Sequence, residues 1–486
     1  MNILWICTDQ QRYDTLGCTG NPFVHTPNLD RLAEEGMLFT RAYSQSPVCA
    51  PSRGSFLTGR YPRTSGPRQN GQDIDPKERL LPRILKDHGY FCGLSGKLHL
   101  SACHDKTGRL TEPRIDDGYD FFSWSHHPQP VHGTNWPANA YNQWLIREGV
   151  EYKTTERADC RYVKTGMPEE YHQTTWCVNE ALAFMETARQ YGKDWMFSIN
   201  FFDPHHDFDP PEAYFKPYLE DLDRLPLPEY KEGELDTKPI FQQKDHGGAY
   251  DNQGGYPYPA MTDHDHRMVK AAYYAMIDLI DRQVGRLLDY LKESGQEQDT
   301  LVVFHSDHGE TLGDHGIYLK GPYMYECNVH VPLILRLPGV IPAGMRRDAL
   351  VGLVDLAPTF LDLLSLPAEP GMQGRSFKPL LTDADAADCF RTSVYAEYYN
   401  ANIAHRDPKA FLTMAVAKHY KLIRVHKRPG DPGVNGELYD LQERPLEQVN
   451  HYDDPAYAEV KTEMLECLAD LMAETIDPLP LRKADW

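Results

Sequence analysis

The chain has 486 residues, 41% of them hydrophobic and 25% charged, an ordinary globular composition with length for one large α/β core or roughly three average domains. No apolar run approaches the roughly 20 residues needed to span a bilayer, and a formal charge of −21 argues against nucleic acid or an anionic membrane surface as partner, since both require a basic face. Ten cysteines, none in a CxxC pair, suit neither a zinc ribbon nor a disulfide framework.

Met1 leads straight into the apolar run 3–7, with no basic n-region and no small-residue cleavage site, the pattern of a cytoplasmic protein whose first strand begins at once. That run ends in Thr8-Asp9-Gln10. Residues 28–36 and 81–89 read as short helices closed by a C-terminal glycine. Between them, SPVCAPSRGSF (46–56) places Cys49 at the mouth of a helix. Run 90–94 then leads into Gly96-Lys97-Leu98-His99, run 195–199 into Asp203-Pro204-His205-His206, and run 301–304 into Asp307-His308. Each has strand length and is apolar on both faces, as expected for strands buried in a parallel sheet. Such sheets bind ligands beyond the carboxyl ends of their strands, so four segments are expected to deliver polar groups to one crevice.

Met268, Ala272, Met276, Leu279, Val284, Leu287 and Leu291 predict a long amphipathic helix leading into the last of these strands. Regions 101–171 and 208–262 show little periodicity and read as irregular insertions that select substrate. Short strands over 393–397, 415–417 and 421–424, with a terminal helix carrying Val460, Met464, Leu468 and Met472, follow. The expectation is an α/β catalytic domain over 1–382, a large mostly parallel sheet flanked by helices, with a smaller C-terminal α+β subdomain over 383–486 packed on it.

Asp9 and Asp307 both follow core strands, each beside an amide or imidazole, Gln10 or His308. Two carboxylates with such neighbours suit a divalent cation, Ca²⁺ first and Mg²⁺ or Mn²⁺ as alternatives, although either aspartate alone also fits a helix cap. Lys97, His99, His205 and Lys320 follow strand ends or sit in the loop after the second aspartate, and Arg53 lies four residues beyond Cys49. Around a metal they would hold a tetrahedral oxyanion.

CAPSR matches C-x-P-S-R, and GSFLTGRYP continues the pattern. With TDQQRYD, TPNLDRLAEEG, GKLH, DPHHDF, SDHGETLGDHG, KGPYMYE, VPLILRLPG and GELYDL, the chain resembles, over most of its length, the type I, formylglycine-dependent sulfatases of the alkaline phosphatase superfamily. The resemblance implies an alkaline-phosphatase-like α/β sandwich whose Cys49 is oxidised to formylglycine by a maturation enzyme, the hydrated aldehyde then attacking a sulfate monoester of a sugar or aryl alcohol. Carried over residue by residue, it implies that Asp9, Gln10, Asp307, His308 and the Cys49 derivative bind the metal. Arg53 would orient the diol, Lys97 and Lys320 bind sulfate, His99 promote sulfate release and His205 serve the leaving oxygen. His206 is a weaker candidate for that last role, and Asn70 is a candidate substrate contact.

Two departures stand out. The pairs Asp9-Gln10 and Asp307-His308 replace the Asp-Asp and Asp-Asn of many sulfatases and resemble phosphonate monoester hydrolases and some choline-sulfatase-like members, making a phosphonate or phosphodiester hydrolase the alternative reading; GKLH, which the phosphonate hydrolases lack, favours sulfate. Asp207 also stands where the PHxP pattern has its second proline. A catalytically dead binder of sulfated glycans is disfavoured because every catalytic position is filled. Trp124, His126, His127 and Trp136 are candidates to stack on a sugar or aryl ring, with a loop-core role as the simpler reading of each. The acidic charge is no obstacle to a homo-oligomer, either a dimer or a tetramer.

Overall fold

The computed structural model describes residues 1–104, 108–128, 138–252, 255–400, 409–427, 430, 433–482 and 484; Trp136 lies outside them. Among the described residues the main sheet has eight strands: β1 (Asn2–Thr8), β2 (Met37–Phe39), β3 (Phe91–Gly96), β4 (Phe121–Trp124), β5 (Trp195–Asn200), β6 (Thr300–Ser306), β7 (Leu333–Arg336) and β8 (Met345–Arg347). Their spatial order is β8-β2-β7-β6-β1-β5-β3-β4. The five strands from β6 to β4 are mutually parallel, while β7 runs against both of its neighbours.

Every residue of β1, β5 and β6 is buried, which explains why these runs are apolar on both faces instead of alternating. Ile3, Trp5 and Cys7 face one layer, and Leu4 and Ile6 the other. The first layer includes α2 (Cys49–Thr58), α3 (Leu81–Asp87) and α8 (Leu356–Leu363); the second includes α1 (Pro27–Glu34), α4 (Ala140–Glu148), α5 (Gln173–Gln190) and α7 (Asp263–Glu293). A further helix, α6 (Glu212–Glu220), packs on α7 through Phe215 and Tyr218.

Register is what makes a site here. Cys7 stands opposite Asn200 and His305, and Asn200 opposite Gly96, so β1, β3, β5 and β6 end level and release Asp9, Lys97, Asp203 and Asp307 along one line. Gly96 makes the turn possible. Its φ is +92°, and a Cβ there would lie 2.0 Å from the Asn200 carbonyl oxygen, a position only glycine fills.

Several expectations need correction. β4 and α4 lie inside the region read as irregular over 101–171, and α6 inside 208–262. Gly89 is left-handed at φ +88°, as its helix stop requires, but α1 stops at a right-handed Glu35. Gly36 instead permits a close approach, since a Cβ there would lie 2.4 Å from the Leu335 carbonyl oxygen.

A second, antiparallel sheet runs in the order β9 (Ser393–Tyr399), β10 (Phe411–Ala417), β11 (Tyr420–Val425) and β12 (Gly436–Asp440); the sequence pattern had shown the first three. Tyr395, Leu422 and Leu438 on one face cover Met464, Leu468 and Leu471 of α9 (Ala458–Glu474). The other face packs Val394, Tyr398, Met414 and Ile423 against Val48, Tyr323 and Tyr325 of the main body. Among the described residues no helix is long and apolar enough to cross a membrane.

Candidate active site

Cys49 is the first residue of α2, following Val48 in extended conformation, and is 1% exposed. Lys320 Nζ donates to its Sγ at 2.9 Å, His308 Nε2 lies 3.2 Å away, and Asp9 Oδ1 and Lys97 Nζ lie at 3.6 and 3.7 Å. Asp9, Cys49, Asp307 and His308 each bring one ligand atom to within 4.8 Å of the others, all four side chains being buried.

The neighbouring bonds orient these groups. His308 Nδ1 faces the Gly309 carbonyl oxygen at 2.9 Å, so Nδ1 carries a proton and Nε2 is the atom turned to Cys49. That atom is a donor while the ring is charged, the form that, against burial, Asp307 favours, and a lone pair for a cation once the ring is neutral. Gln10 has φ +69° and is tied by its backbone N–H to Asp307 Oδ1 at 3.1 Å and by its carbonyl to Tyr273 Oη at 2.6 Å. Its Nε2 donates to Glu310, leaving Oε1 buried and without a partner. Two carboxylates, an imidazole lone pair and an orphaned amide oxygen fit a divalent cation.

Arg53 is fully buried and supplies the counter-charge. It donates to Asp307 Oδ2 at 2.9 Å, to Asp9 Oδ2 at 3.2 Å and to the Lys97 carbonyl oxygen at 2.9 Å. Its bonds therefore brace both aspartates and the Lys97 turn. Lys97 Nζ donates to Asp9 Oδ2 at 2.6 Å. Burial opposes ionisation of Asp9, yet Lys97 and Lys320 hold its carboxyl well below the usual range. Burial and Asp9 likewise push the Cys49 thiol up, but Lys320, Lys97 and His308 outweigh them and bring it down to about 5. The site is built to hold negative charge at position 49.

Above this floor opens a cavity of about 500 Å³. Cys49, Asn70, Lys97, His99, His205 and Lys320 all line it, whereas Asp9, Gln10, Arg53, Asp307 and His308 sit beneath. Asn70 Oδ1 accepts from the Ala50 N–H at 3.0 Å, at the start of α2. His99 has φ +57° and a buried Nδ1 without a partner; burial, with Lys97 and Arg53 close by, keeps its imidazole neutral. His205 stacks on His206 at 4.1 Å and turns Nδ1 toward the His206 carbonyl oxygen at 2.5 Å. Burial and Lys320 push its pKa well down. An anionic tetrahedral group placed over Cys49 would meet Lys97 and Lys320 from below and His99 and His205 from the walls.

The sulfatase family model matches residues 1–366. The chain belongs to the sulfatase family. A second model, described as N-sulphoglucosamine sulphohydrolase, C-terminal, matches residues 313–474. Among curated relatives, this sulfatase is 29% identical to an arylsulfatase of Clostridium perfringens, with 94% of this chain and 91% of that one covered. It is 26% identical to an N-acetylglucosamine-6-O-sulfatase of Bacteroides thetaiotaomicron, with 99% and 88% covered. Among solved structures, the phosphonate monoester hydrolase of Agrobacterium radiobacter superposes with a TM-score of 0.81 at 25% identity, covering 99% of this chain and 97% of that one. The sulfatase is thus a sulfuric ester hydrolase by family with an alkaline-phosphatase-like fold.

Of the remaining residues read from sequence, His126, His127 and His206 line the sulfatase's cavity. Trp124 ends β4, is 4% exposed and turns its indole N–H to Glu112 at 3.1 Å, a core role. Four residues escaped sequence reading. Tyr250 and Tyr398 join the cavity wall from distant segments. Glu310 holds Gln10 and accepts from the Leu312 N–H at 2.9 Å. Glu112 accepts from three consecutive N–H groups: His99 at 2.8 Å, Leu100, and Ser101 at 2.9 Å. For Glu310 a hint existed, since it lies in SDHGE; for the other three there was none.

Proposed function

We propose that this sulfatase hydrolyses a sulfate monoester of a sugar or aryl alcohol, using a formylglycine derived from Cys49 by a maturation enzyme. The observation that carries the reading is the position of Cys49: inside C-x-P-S-R, at the start of α2, on the cavity floor between a metal-type ligand set and Lys320. Asp9, Gln10, Asp307 and His308 would hold one divalent cation, Ca²⁺ by preference, and that cation would acidify the hydroxyl at position 49 and offset sulfate charge. The hydrated aldehyde would supply a nucleophile that the thiol cannot replace, because its second hydroxyl allows release of sulfate.

The other groups then take roles from their geometry. Lys97 and Lys320 hold the sulfate oxygens, and charge building there in the transition state meets both ammonium groups without reorganisation. His99 accepts a proton at its unpartnered Nδ1 as sulfate leaves. His205 has its Nδ1–H occupied by the His206 carbonyl, so Nε2 donates to the leaving oxygen only as imidazolium, a form that the bound anion favours. Asn70 contacts the substrate from the helix start. All groups touching the reacting centre come from residues 1–382, the proposed catalytic domain; residues 383–486 contribute Tyr398 to the wall.

The alternative, a phosphonate monoester or phosphodiester hydrolase using the same nucleophile, is favoured by the Agrobacterium radiobacter likeness and by the pairs Asp9-Gln10 and Asp307-His308. Turnover of an aryl sulfate or sulfated sugar beside an aryl phosphonate monoester and a phosphate diester, with matured protein, decides between them. Higher kcat/KM on the sulfates supports the first reading; higher kcat/KM on the phosphonate or diester overturns it.

A further inference from the structure

From His308 the chain passes through Gly309 to Glu310, a residue that does not line the cavity over Cys49. Gly309 N–H donates to the Asn328 carbonyl oxygen at 2.8 Å, and Glu310 N–H to that of Cys327 at 2.9 Å. A Cβ on Gly309 would lie 1.9 Å from the Cys327 carbonyl oxygen, so only glycine lets the two segments close up. Glu310 is thereby fixed in place with no exposure to solvent.

Both oxygens of its carboxyl group act as acceptors. Oε1 faces the Leu312 N–H at 2.9 Å, the Leu319 N–H and the Thr311 hydroxyl at 3.4 Å, while Oε2 faces Gln10 Nε2. Backbone N–H groups can only donate, so Oε1 has no place for a proton on that side, and the group is satisfied as an anion. That anion decides which end of the Gln10 amide turns to it. With the amide reversed, two acceptor oxygens would face each other and the buried NH₂ group would lose its acceptor, each a costly loss away from water. In the orientation present, Nε2 meets Glu310, and Oε1 is the buried atom left without a partner. The same carboxylate also holds the turn before Lys320, where Leu319 is left-handed at φ +67°.

We infer that Glu310 is a positioning residue for the divalent cation, acting through Gln10: it keeps the amide oxygen turned out as a ligand and backs that ligand with negative charge. A carboxylate ligand brings charge and donor oxygen in one group. Here Gln10 brings the oxygen and Glu310 the charge, and an anion hydrogen-bonded behind a ligand both orients it and makes it a better donor. The inference rests on the reading of Asp9, Gln10, Asp307 and His308 as cation ligands.

The test is calorimetric titration of Ca²⁺ into full-length Cys49→Ala protein, otherwise unchanged or carrying Glu310→Gln, Gln10→Ala or both. Glu310→Gln keeps the size of the side chain and removes its charge. The Kd for Ca²⁺ is expected to rise ten- to hundredfold, the usual effect of deleting the group behind a ligand. The two changes together are expected to weaken binding by no more than about twofold beyond the worse single change, because effects that run through one group do not multiply. A residue that served only the Leu319 turn would leave Kd unchanged or give effects that multiply, and either result overturns the inference. Should Glu310→Gln fail to fold, a crystal structure of the Ca²⁺ complex of the Cys49→Ala protein decides. Gln10 Oε1 on the ion with Nε2 on Glu310 supports the inference; an ion held without Gln10 overturns it. Absence of Ca²⁺, Mg²⁺ and Mn²⁺ binding to the Cys49→Ala protein and to the matured wild type would sink the cation reading and this inference with it, whereas binding without the expected pattern sinks the inference alone.

Discussion

Glu112 makes no contact with Cys49, yet replacing it should disable the site. Its carboxylate is 4% exposed and accepts from the N–H groups of His99, Leu100 and Ser101 and from the Trp124 indole. These bonds hold the turn that carries Lys97 and His99, including the left-handed backbone of His99. In Glu112→Gln one oxygen becomes an NH₂ group facing backbone donors, so about two of the four bonds are lost, at roughly 1.5–3 kcal/mol each for a charged acceptor. Burial raises the pKa of this carboxyl against its backbone donors, and the neutral amide escapes that cost, so the lower end applies: about 3 kcal/mol of stability. A shift of about 1 Å in the turn would misplace Lys97 and His99 and lower kcat by roughly 10². Denaturant unfolding measures the first effect and steady-state turnover of a small sulfate ester the second. A Glu112→Gln protein with wild-type kcat would refute the reasoning, because the turn would then be shown to hold its shape without the carboxylate.

Cys49→Ala should abolish turnover without changing the unfolding midpoint by much, and the peptide spanning position 49 from matured wild type should show the mass of an aldehyde in place of a thiol; appreciable turnover by the variant would remove Cys49 from the chemistry. Lys320→Ala should lower kcat by roughly 10²–10³, the effect of losing one donor to the developing charge, and a wild-type rate would place Lys320 outside the reacting site. Chelation, checked by metal analysis and thermal unfolding of Cys49→Ala protein, should remove one divalent cation per chain and lower stability. At a hundredfold excess over Kd the bound ion contributes about 2.7 kcal/mol, and an unchanged unfolding curve after complete removal would argue against the ligand set.

The parts of the fold legible in sequence are those where burial on both faces leaves runs with apolar residues on both faces. β1, β3, β5 and β6 are of this kind, and because they end level, the polar residue following each one already marked the site. β4 was missed because Phe121–Trp124 is a short edge strand with two half-buried residues, and α4 because only Tyr141 and Leu145 of its nine residues are buried. Cys49, Asp9 and Asp307 were legible through motif and strand-end position. Glu112 was not, because a lone glutamate in an aperiodic stretch looks like any solvated carboxylate until the chain returns to bring three backbone N–H groups against it. Tyr398 belongs to the same class. It reaches the cavity only because the second sheet packs its Tyr398 face onto the main body.

The burial of α2 has a consequence in time as well as in space. Cys49 and Ala50 are each 1% exposed, and Ser52 and Arg53 not at all, with Arg53 locked to both aspartates. An enzyme that must grip this stretch finds nothing to grip once the chain has folded. Oxidation of Cys49, in the function proposed above, has to happen while residues 49–53 are still extended, so conversion and folding race for the same segment. Chains that fold first are sealed with a thiol inside, intact in shape and inert, and the active fraction of a preparation records who won that race.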